Sequence, residues 1–305
     1  MKRWFKILFS AAKNWNSDNV FKHAAAVSFY TLFSLAPITI IAITVAGIFF
    51  GKETATAQLA NQVSSLIGPA AAELIQAAAK ASETERTSVI STILGVALLL
   101  FGATTVFGQL QESFNQIWSV RTKPSKSGWP LLVIQRAVSL AMVLTIGFLL
   151  LVSLVLTTAL TTTMGHLGHA VGSSPALLQV ADLGISVVIV TVLFALLFKV
   201  LPDVRVRWRD VWAGAGITAI LFTIGRFLIA LYLGHSTVAS IYGAAGSLVA
   251  LLIWVYYSCA ILFYGVEITR AYRDAHHLKV EPKETAVMVR EEVVESHPRR
   301  ESAAR

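Results

Sequence analysis

A handful of side chains stand in otherwise apolar runs where an ionisable group or a helix breaker is expensive to keep. They are Tyr30, Ser34 and Pro37 near the N-terminus, then Glu112, Arg136, Asp182, Arg226 and Glu267. Arg226 is the most anomalous. It lies about fifteen residues into an apolar run, which at 1.5 Å per residue is roughly 22 Å across a hydrocarbon layer of about 30 Å. An arginine at that depth must pair, reach water, or snorkel to headgroups, and intramembrane charges mark transport paths by default. Asp182 enters its own run at a compatible depth, so two readings stand: an Arg226–Asp182 pair sharing a polar cavity, or Arg226 snorkelling outward. Glu112, Arg136 and Glu267 with Arg270 fall at the opposite boundary, where either carboxylate could neutralise Arg136. Their role is a structural clamp or a titrating gate. Pro37 cannot donate to the carbonyl of Phe33 and predicts a kink or break, with Thr31 and Ser34 as local hydroxyls that could fill the gap. A broken helix there would line a substrate path beside Tyr30.

Other chemistries find little support. The single cysteine, Cys259, can build neither a disulfide framework nor a thiolate metal site. His166 with His169 and His276 with His277 lack a carboxylate or thiolate cluster, so no metal site is expected. No phosphate-cradling Gly-Lys loop and no metal-activated or acid–base hydrolytic constellation is found. The expectation is a non-enzymatic protein without cofactor or metal.

The elements that must hold these residues follow from composition. Of 305 residues, 55% are apolar and 14% charged, against roughly 25% charged in an ordinary soluble domain. Uncharged runs cover 23–51, 87–111, 137–181 and 227–266, and a span needs about 20 mainly apolar residues. Spans are predicted near 25–50, 89–112, 135–161, 180–201, 211–233 and 244–267. Lipid offers no partner to an open backbone, so all six should be helices. The fold class expected is all-α, a polytopic bundle of six transmembrane helices. The net charge of +8 would suggest nucleic acid in a soluble protein. Here its placement suggests topology: Lys2, Arg3, Lys6, Lys13 and Lys22, then Arg121, Lys123 and Lys126, then Lys199, Arg205, Arg207 and Arg209, then Arg270 and Arg273 all fall on one side. The connections 162–179 and 234–243 carry no Lys or Arg. Both termini are therefore expected in the cytoplasm, and no nucleic-acid partner is expected. The connection 52–86 carries both signs, which nearly cancel.

Three domains are expected: a cytoplasmic amphipathic segment over 1–22, the transmembrane domain over 23–273 with its outer connection 52–86, and a tail over 274–305. In the first, Trp4, Phe5, Ile7, Leu8, Ala11, Ala12 and Trp15 alternate with Lys2, Lys6 and Lys13, as in a helix lying at the membrane surface or one packed under the bundle. The outer connection suggests two short helices broken at Gly68-Pro69, or a simple hairpin. The tail, with seven acidic and six basic residues, predicts disorder. Gly47/Gly51, Gly214/Thr218 and Gly243/Ser247 have the small-xxx-small spacing of close helix contacts.

Four segments together are similar to a known family. They are Ala24-Ala25-Ala26-Val27-Ser28-Phe29-Tyr30-Thr31-Leu32-Phe33-Ser34-Leu35-Ala36-Pro37; Phe114-Asn115-Gln116-Ile117-Trp118; Val206-Arg207-Trp208-Arg209-Asp210-Val211 with Gly214; and Tyr242-Gly243-Ala244-Ala245-Gly246-Ser247 running to Trp254, Tyr256 and Gly265-Val266-Glu267. The chain resembles the BrkB/YihY family of bacterial inner-membrane proteins, once labelled ribonuclease BN, over about residues 5–273. Val266 stands where the family pattern usually has Ala. The resemblance implies six spans in a bacterial cytoplasmic membrane and a link to envelope function. The functional expectation is a transporter or exporter of a lipid or other amphipathic envelope component, with membrane lipids as partners. The alternative is a membrane scaffold for envelope integrity, and a ribonuclease is the least favoured. Oligomeric state is left open by the sequence.

Overall fold

The computed structural model describes residues 2–32, 51–67, 105–123, 175–235 and 246–290, with positions 47 and 76 besides. In chain order the elements are α1 (Lys2–Ser17), α2 (20–32), α3 (Lys52–Ile67), α4 (105–117), β1 (Val120–Thr122), α5 (Pro175–Val200), α6 (Trp208–His235), α7 (Gly246–Ala275) and β2 (Ala286–Met288). The described residues are mostly helical, as expected. The short antiparallel ribbon of β1 and β2 amends the all-α reading.

α6 shows why these helices sit as they do. Ile220, Ile224, Phe227, Leu228 and Leu231 recur at helical spacing on one face and are all exposed. The opposite face carries Val211, Ala215, Thr218 and Ala219, all buried. Large apolar side chains outward with small ones inward reverses the pattern of a water-soluble helix. It is the pattern of a helix whose outer solvent is lipid and whose inner contacts need close backbones. Two described helices, over Trp208–Ile229 and Leu248–Ala275, are long and apolar enough to cross a membrane. α7 runs two turns past the end at 267 expected from its apolar run.

α6 packs against both α5 and α7, and α1 packs along α7. The α6–α7 crossing is built on two small-xxx-small motifs facing each other. A Cβ added to Gly214 would lie 2.7 Å from the carbonyl oxygen of Gly265 and against the Thr269 hydroxyl. One added to Gly265 would lie 2.7 Å from Cζ of Phe198 and against the Thr218 hydroxyl. Thr218 and Thr269 each return their hydroxyl to their own helix, onto the carbonyls of Gly214 (2.6 Å) and Gly265 (3.0 Å), so no donor is left unsatisfied at the crossing. Gly47/Gly51 does something else: Gly51 has φ +80° and donates to the Gly47 carbonyl at 3.0 Å. That is a left-handed helix cap, with open space around the Gly51 Cα, and not a packing contact. Gly243 lies outside the described residues.

The centre of the core is Phe114 of α4, edge-to-face with Phe198 of α5 (6.0 Å) and Phe263 of α7 (5.9 Å). Val20, Ala24 and Val27 of α2 close the same cluster. The expected disordered tail is corrected over residues 276–290. α7 ends in a Schellman turn, with His277 at φ 52° and Leu278 N–H bonded to Arg273 O at 3.0 Å. The chain then folds back, bridges Val204 to Pro282, and pairs β2 with β1 in the register Val120↔Met288, Thr122↔Ala286. Residues 291–305 lie outside the described set.

Candidate functional site

α4, α5 and α7 end, and α6 begins, at the same end of the bundle. A polar layer is assembled there from residues far apart in sequence. Asn115, in the last turn of α4, donates from Nδ2 to Asp203 Oδ2 (2.8 Å) and accepts the Asp203 backbone N–H on Oδ1 (2.8 Å). Gln111 adds a longer bond to Asp203 Oδ1 at 3.3 Å. One amide thus reads both the backbone and the carboxylate of the α5–α6 turn, and both residues are buried. The tail locks onto the same turn, with Lys283 N–H on Asp203 O (2.8 Å), Arg205 N–H on Glu281 O (2.8 Å) and Lys283 Nζ on Val200 O (3.1 Å). Burial pushes the Lys283 amine below its ordinary range, and the nearby Asp203 carboxylate pulls it partly back.

Two arginines of α7 fasten the remaining parts. Arg270 pairs with Asp18 at 3.0 Å, reaches the Ile117 carbonyl, and touches Ser119 Oγ at 3.4 Å. It thereby joins the α1–α2 turn to the end of α4. Arg273 donates to the carbonyls of Lys279 (2.6 Å) and Arg205 (3.2 Å), faces Asp210 at 3.4 Å, and lies 6.0 Å from the Trp118 ring. The Asp210 contact is an ion pair without hydrogen-bond geometry, so Asp210 Oδ2 and Arg273 Nε have no hydrogen-bond partner among the described residues. His23, at the start of α2, meets Ser113 Oγ at 3.3 Å. Burial lowers its pKa from 6.5, with Glu112 opposing the shift.

Glu267 stands one turn inside this layer. It is fully buried, and neither carboxylate oxygen has a hydrogen-bond partner among the described residues. Its partner in the sequence reading, Arg136, lies outside the described residues. Glu112, the other expected partner of Arg136, is exposed on α4. Of the path residues, Tyr30 is at the surface of α2, edge-on to Phe29 at 6.0 Å, while Ser34 and Pro37 lie outside the described residues. Thr31 donates to Val27 O at 2.8 Å, so its hydroxyl proton is committed to its own helix. Arg226 is half-buried, its guanidinium 5.2 Å from the ring of its neighbour Phe227. Asp182 falls on α5, but its side chain is outside the described set, so the Arg226–Asp182 pair is untested. Just below Arg226, Gly225 packs against the Tyr257 ring. Among the described residues no group of three or more His, Cys, Asp or Glu could hold a metal ion.

Sequence reasoning passed over Asn115, Asp203, Asp18 and Asp210 as functional residues. Asn115 entered only as part of a motif, and its partner is 88 positions away.

The profile of the family described as "Virulence factor BrkB" matches residues 11–288, from the middle of α1 through the last residue of β2. The chain belongs to this family. Its BrkB match thus includes the folded-back part of the tail as well as the bundle. Curated relatives are named UPF0761 membrane proteins. That of Alcanivorax borkumensis is 24% identical over 273 residues, covering 89% of this chain and 60% of the relative. That of Verminephrobacter eiseniae is 28% identical over 275 residues, covering 87% and 62%, and that of Pseudomonas aeruginosa strain LESB58 is 28% identical over 262 residues, covering 83% and 59%. The chain spans about 60% of the length of these relatives. No solved structure matches. This is a membrane protein of the BrkB family, in keeping with the two membrane-capable helices.

Proposed function

We propose that this BrkB-family chain is a multi-pass protein of the bacterial inner membrane, with six spans and both termini cytoplasmic, and that it moves a lipid or other amphipathic envelope component without enzymatic chemistry. The observation that carries the reading is Glu267: a carboxyl group fully buried in a lipid-embedded helix, with no hydrogen-bond partner among the described residues. Burying a carboxyl group in an apolar layer costs several kcal/mol unless it is paired, and close to Glu267 lie Asp18 and Arg270. A carrier uses such a carboxyl to bind a coupling ion or the polar end of its cargo. Arg226, half-buried near the other end of α6, supplies a second charge on the path. The orientation is supported by the gathering of Lys6, Arg121, Lys123, Lys199, Arg205, Arg207 and Arg209 around one end of the bundle. It is also supported by the exposed Trp208 and Trp212 there, with exposed Tyr232 twenty residues after Trp212. That rise is about 30 Å, the thickness of a hydrocarbon core between its aromatic belts.

A scaffold would bind envelope partners through the outer connection 52–86 and the cytoplasmic tail. Residues 276–290 are folded onto the domain, which leaves less of the tail free to serve as a binding arm. The test is reconstitution into liposomes with a lipid-scrambling or uptake assay, comparing wild type, Glu267→Gln and Arg226→Ala at equal incorporation. Wild type should exceed protein-free liposomes, and Glu267→Gln should lose most of the difference. Wild-type activity equal to that of empty liposomes would sink the proposal.

A further inference from the structure

The exposed face of α1 carries an aromatic stripe flanked by lysines. On α1 the buried residues are Ile7 and Ala11, packed on Ile268 and Ala271 of α7. The helix is tied down along its length: Arg3 Nη2 donates to Ala275 O (2.8 Å), Tyr264 Oη to Leu8 O (3.2 Å) and Trp15 Nε1 to Ala260 O (3.0 Å). The opposite face shows Phe5 (72% exposed) and Phe9 (67% exposed), stacked on each other at 6.5 Å. At 100° per residue, Lys6 and Lys13 fall within about 100° of Phe5 on the same side, and both are exposed. α1 contains no acidic residue.

Depth is fixed by the partner helix. Phe5 and Phe9 flank Ile7, which packs at the level of Ile268 and Ala271. Across the α6–α7 crossing, Asp210 meets Arg273, which places the exposed Trp208 and Trp212 of α6 at the same level, with exposed Arg207 and Arg209 beside them. Aromatic rings with cations at one depth, on two separate elements, match the headgroup zone of a bilayer. The chemistry that complements them is an apolar acyl–headgroup boundary with a negative phosphate above it.

We infer that the Phe5/Phe9 stripe of α1 is a binding surface for anionic phospholipid headgroups, with Lys6 and Lys13 contacting the phosphates while the rings enter the acyl boundary. This rests on the membrane placement proposed above and not on transport, so a failed transport assay leaves it standing.

The test uses the full chain in nanodiscs of phosphatidylcholine alone or with one quarter phosphatidylglycerol. A nitroxide is placed by Phe9→Cys in a Cys259→Ala background, with a second label at the exposed Glu284 as a water reference. The label at 9 should collide with oxygen and be shielded from a water-soluble nickel reagent, unlike the label at 284. Spin-labelled phosphatidylglycerol should be immobilised by the protein at least twofold more than the choline lipid, and Lys6→Gln/Lys13→Gln should bring the ratio to one. Three results would overturn the inference: nickel access at 9 equal to that at 284, a lipid ratio indifferent to the lysines, or dipolar broadening at 9 that disappears on dilution with unlabelled protein, which would place a second copy on the stripe.

Discussion

Replacing Gly265 by Ala tests whether the α6–α7 crossing is held at backbone contact. The new methyl carbon would sit 2.7 Å from Cζ of Phe198, about 0.7 Å short of the 3.4 Å at which ordinary contact begins, and deeper still against the Thr218 hydroxyl. Phe198 is itself buried on all sides, so the ring cannot swing away freely. Overpacking of this kind costs about 1–3 kcal/mol, while Ala in place of Gly returns up to about 1 kcal/mol of helix stability. A net loss of about 1–2 kcal/mol follows. Gly214→Ala should cost more, because part of its clash is with the carbonyl of Gly265, which no rotamer change can move. Cys259 provides the assay: it is the single cysteine and is buried in α7, so a fluorogenic maleimide in detergent reports unfolding as a thermal transition. At roughly 2–4 °C per kcal/mol, Gly265→Ala should lower the midpoint by about 2–8 °C. Adding Thr218→Ala should recover part of the loss, whereas Thr269→Ala should rescue Gly214→Ala less. A midpoint for Gly265→Ala at or above wild type, or equal rescue in both pairs, would refute the close-contact reasoning.

Three further outcomes are expected. Asn115→Leu strips one hydrogen bond from the buried Asp203 carboxylate and one from its backbone N–H and should destabilise by about 2–4 kcal/mol in the same thiol assay, while Asp203→Asn, which keeps the backbone bond, should cost less. Arg273→Met removes the bond to the Lys279 carbonyl and the pair with Asp210, so tryptic cleavage at Lys279 and Lys283 should quicken about tenfold, the equivalent of about 1.4 kcal/mol in local opening, with no change expected for Arg290→Met. The pKa of His23 is lower in the folded protein than its ordinary 6.5, so the folded state binds fewer protons there. Its contribution is full above pH 6.5 and is lost as pH falls through the depressed value; His23→Gln should flatten the thermal midpoint against pH in that window.

Where the expected spans fall on described residues, a long apolar run was legible as a helix: α5, α6 and α7 lie over three of those runs, and α6 and α7 are long and apolar enough to cross a membrane. What the runs could not reveal is which small residues touch. Gly214/Thr218 and Gly47/Gly51 have identical spacing, yet one is a helix crossing and the other a helix cap, since spacing at i and i+4 serves both and only the φ of Gly51 separates them. The tail was misread for a related reason. Averaged over 274–305 its charge predicts disorder, but Leu278, Val280, Ala286, Val287, Met288 and Val289 concentrate the apolar residues in the first half, where they reach β1. The polar layer was the least legible part of all. Asn115 with Asp203 and Arg270 with Asp18 are pairs between distant segments, and a single polar residue at the end of an apolar run looks the same whether it faces water or clamps a turn.

The arrangement of charge along α7 ties these levels together. Arg270 and Arg273 are both occupied by partners from other elements, Asp18 and Ile117 for the first, Asp210, Arg205 and Lys279 for the second. Neither guanidinium is spare, and Glu267 lies one turn further into the apolar layer. Glu267 lies within reach of both Asp18 and Arg270, its neighbour at i+3, yet neither of its oxygens makes a hydrogen bond of good geometry among the described residues.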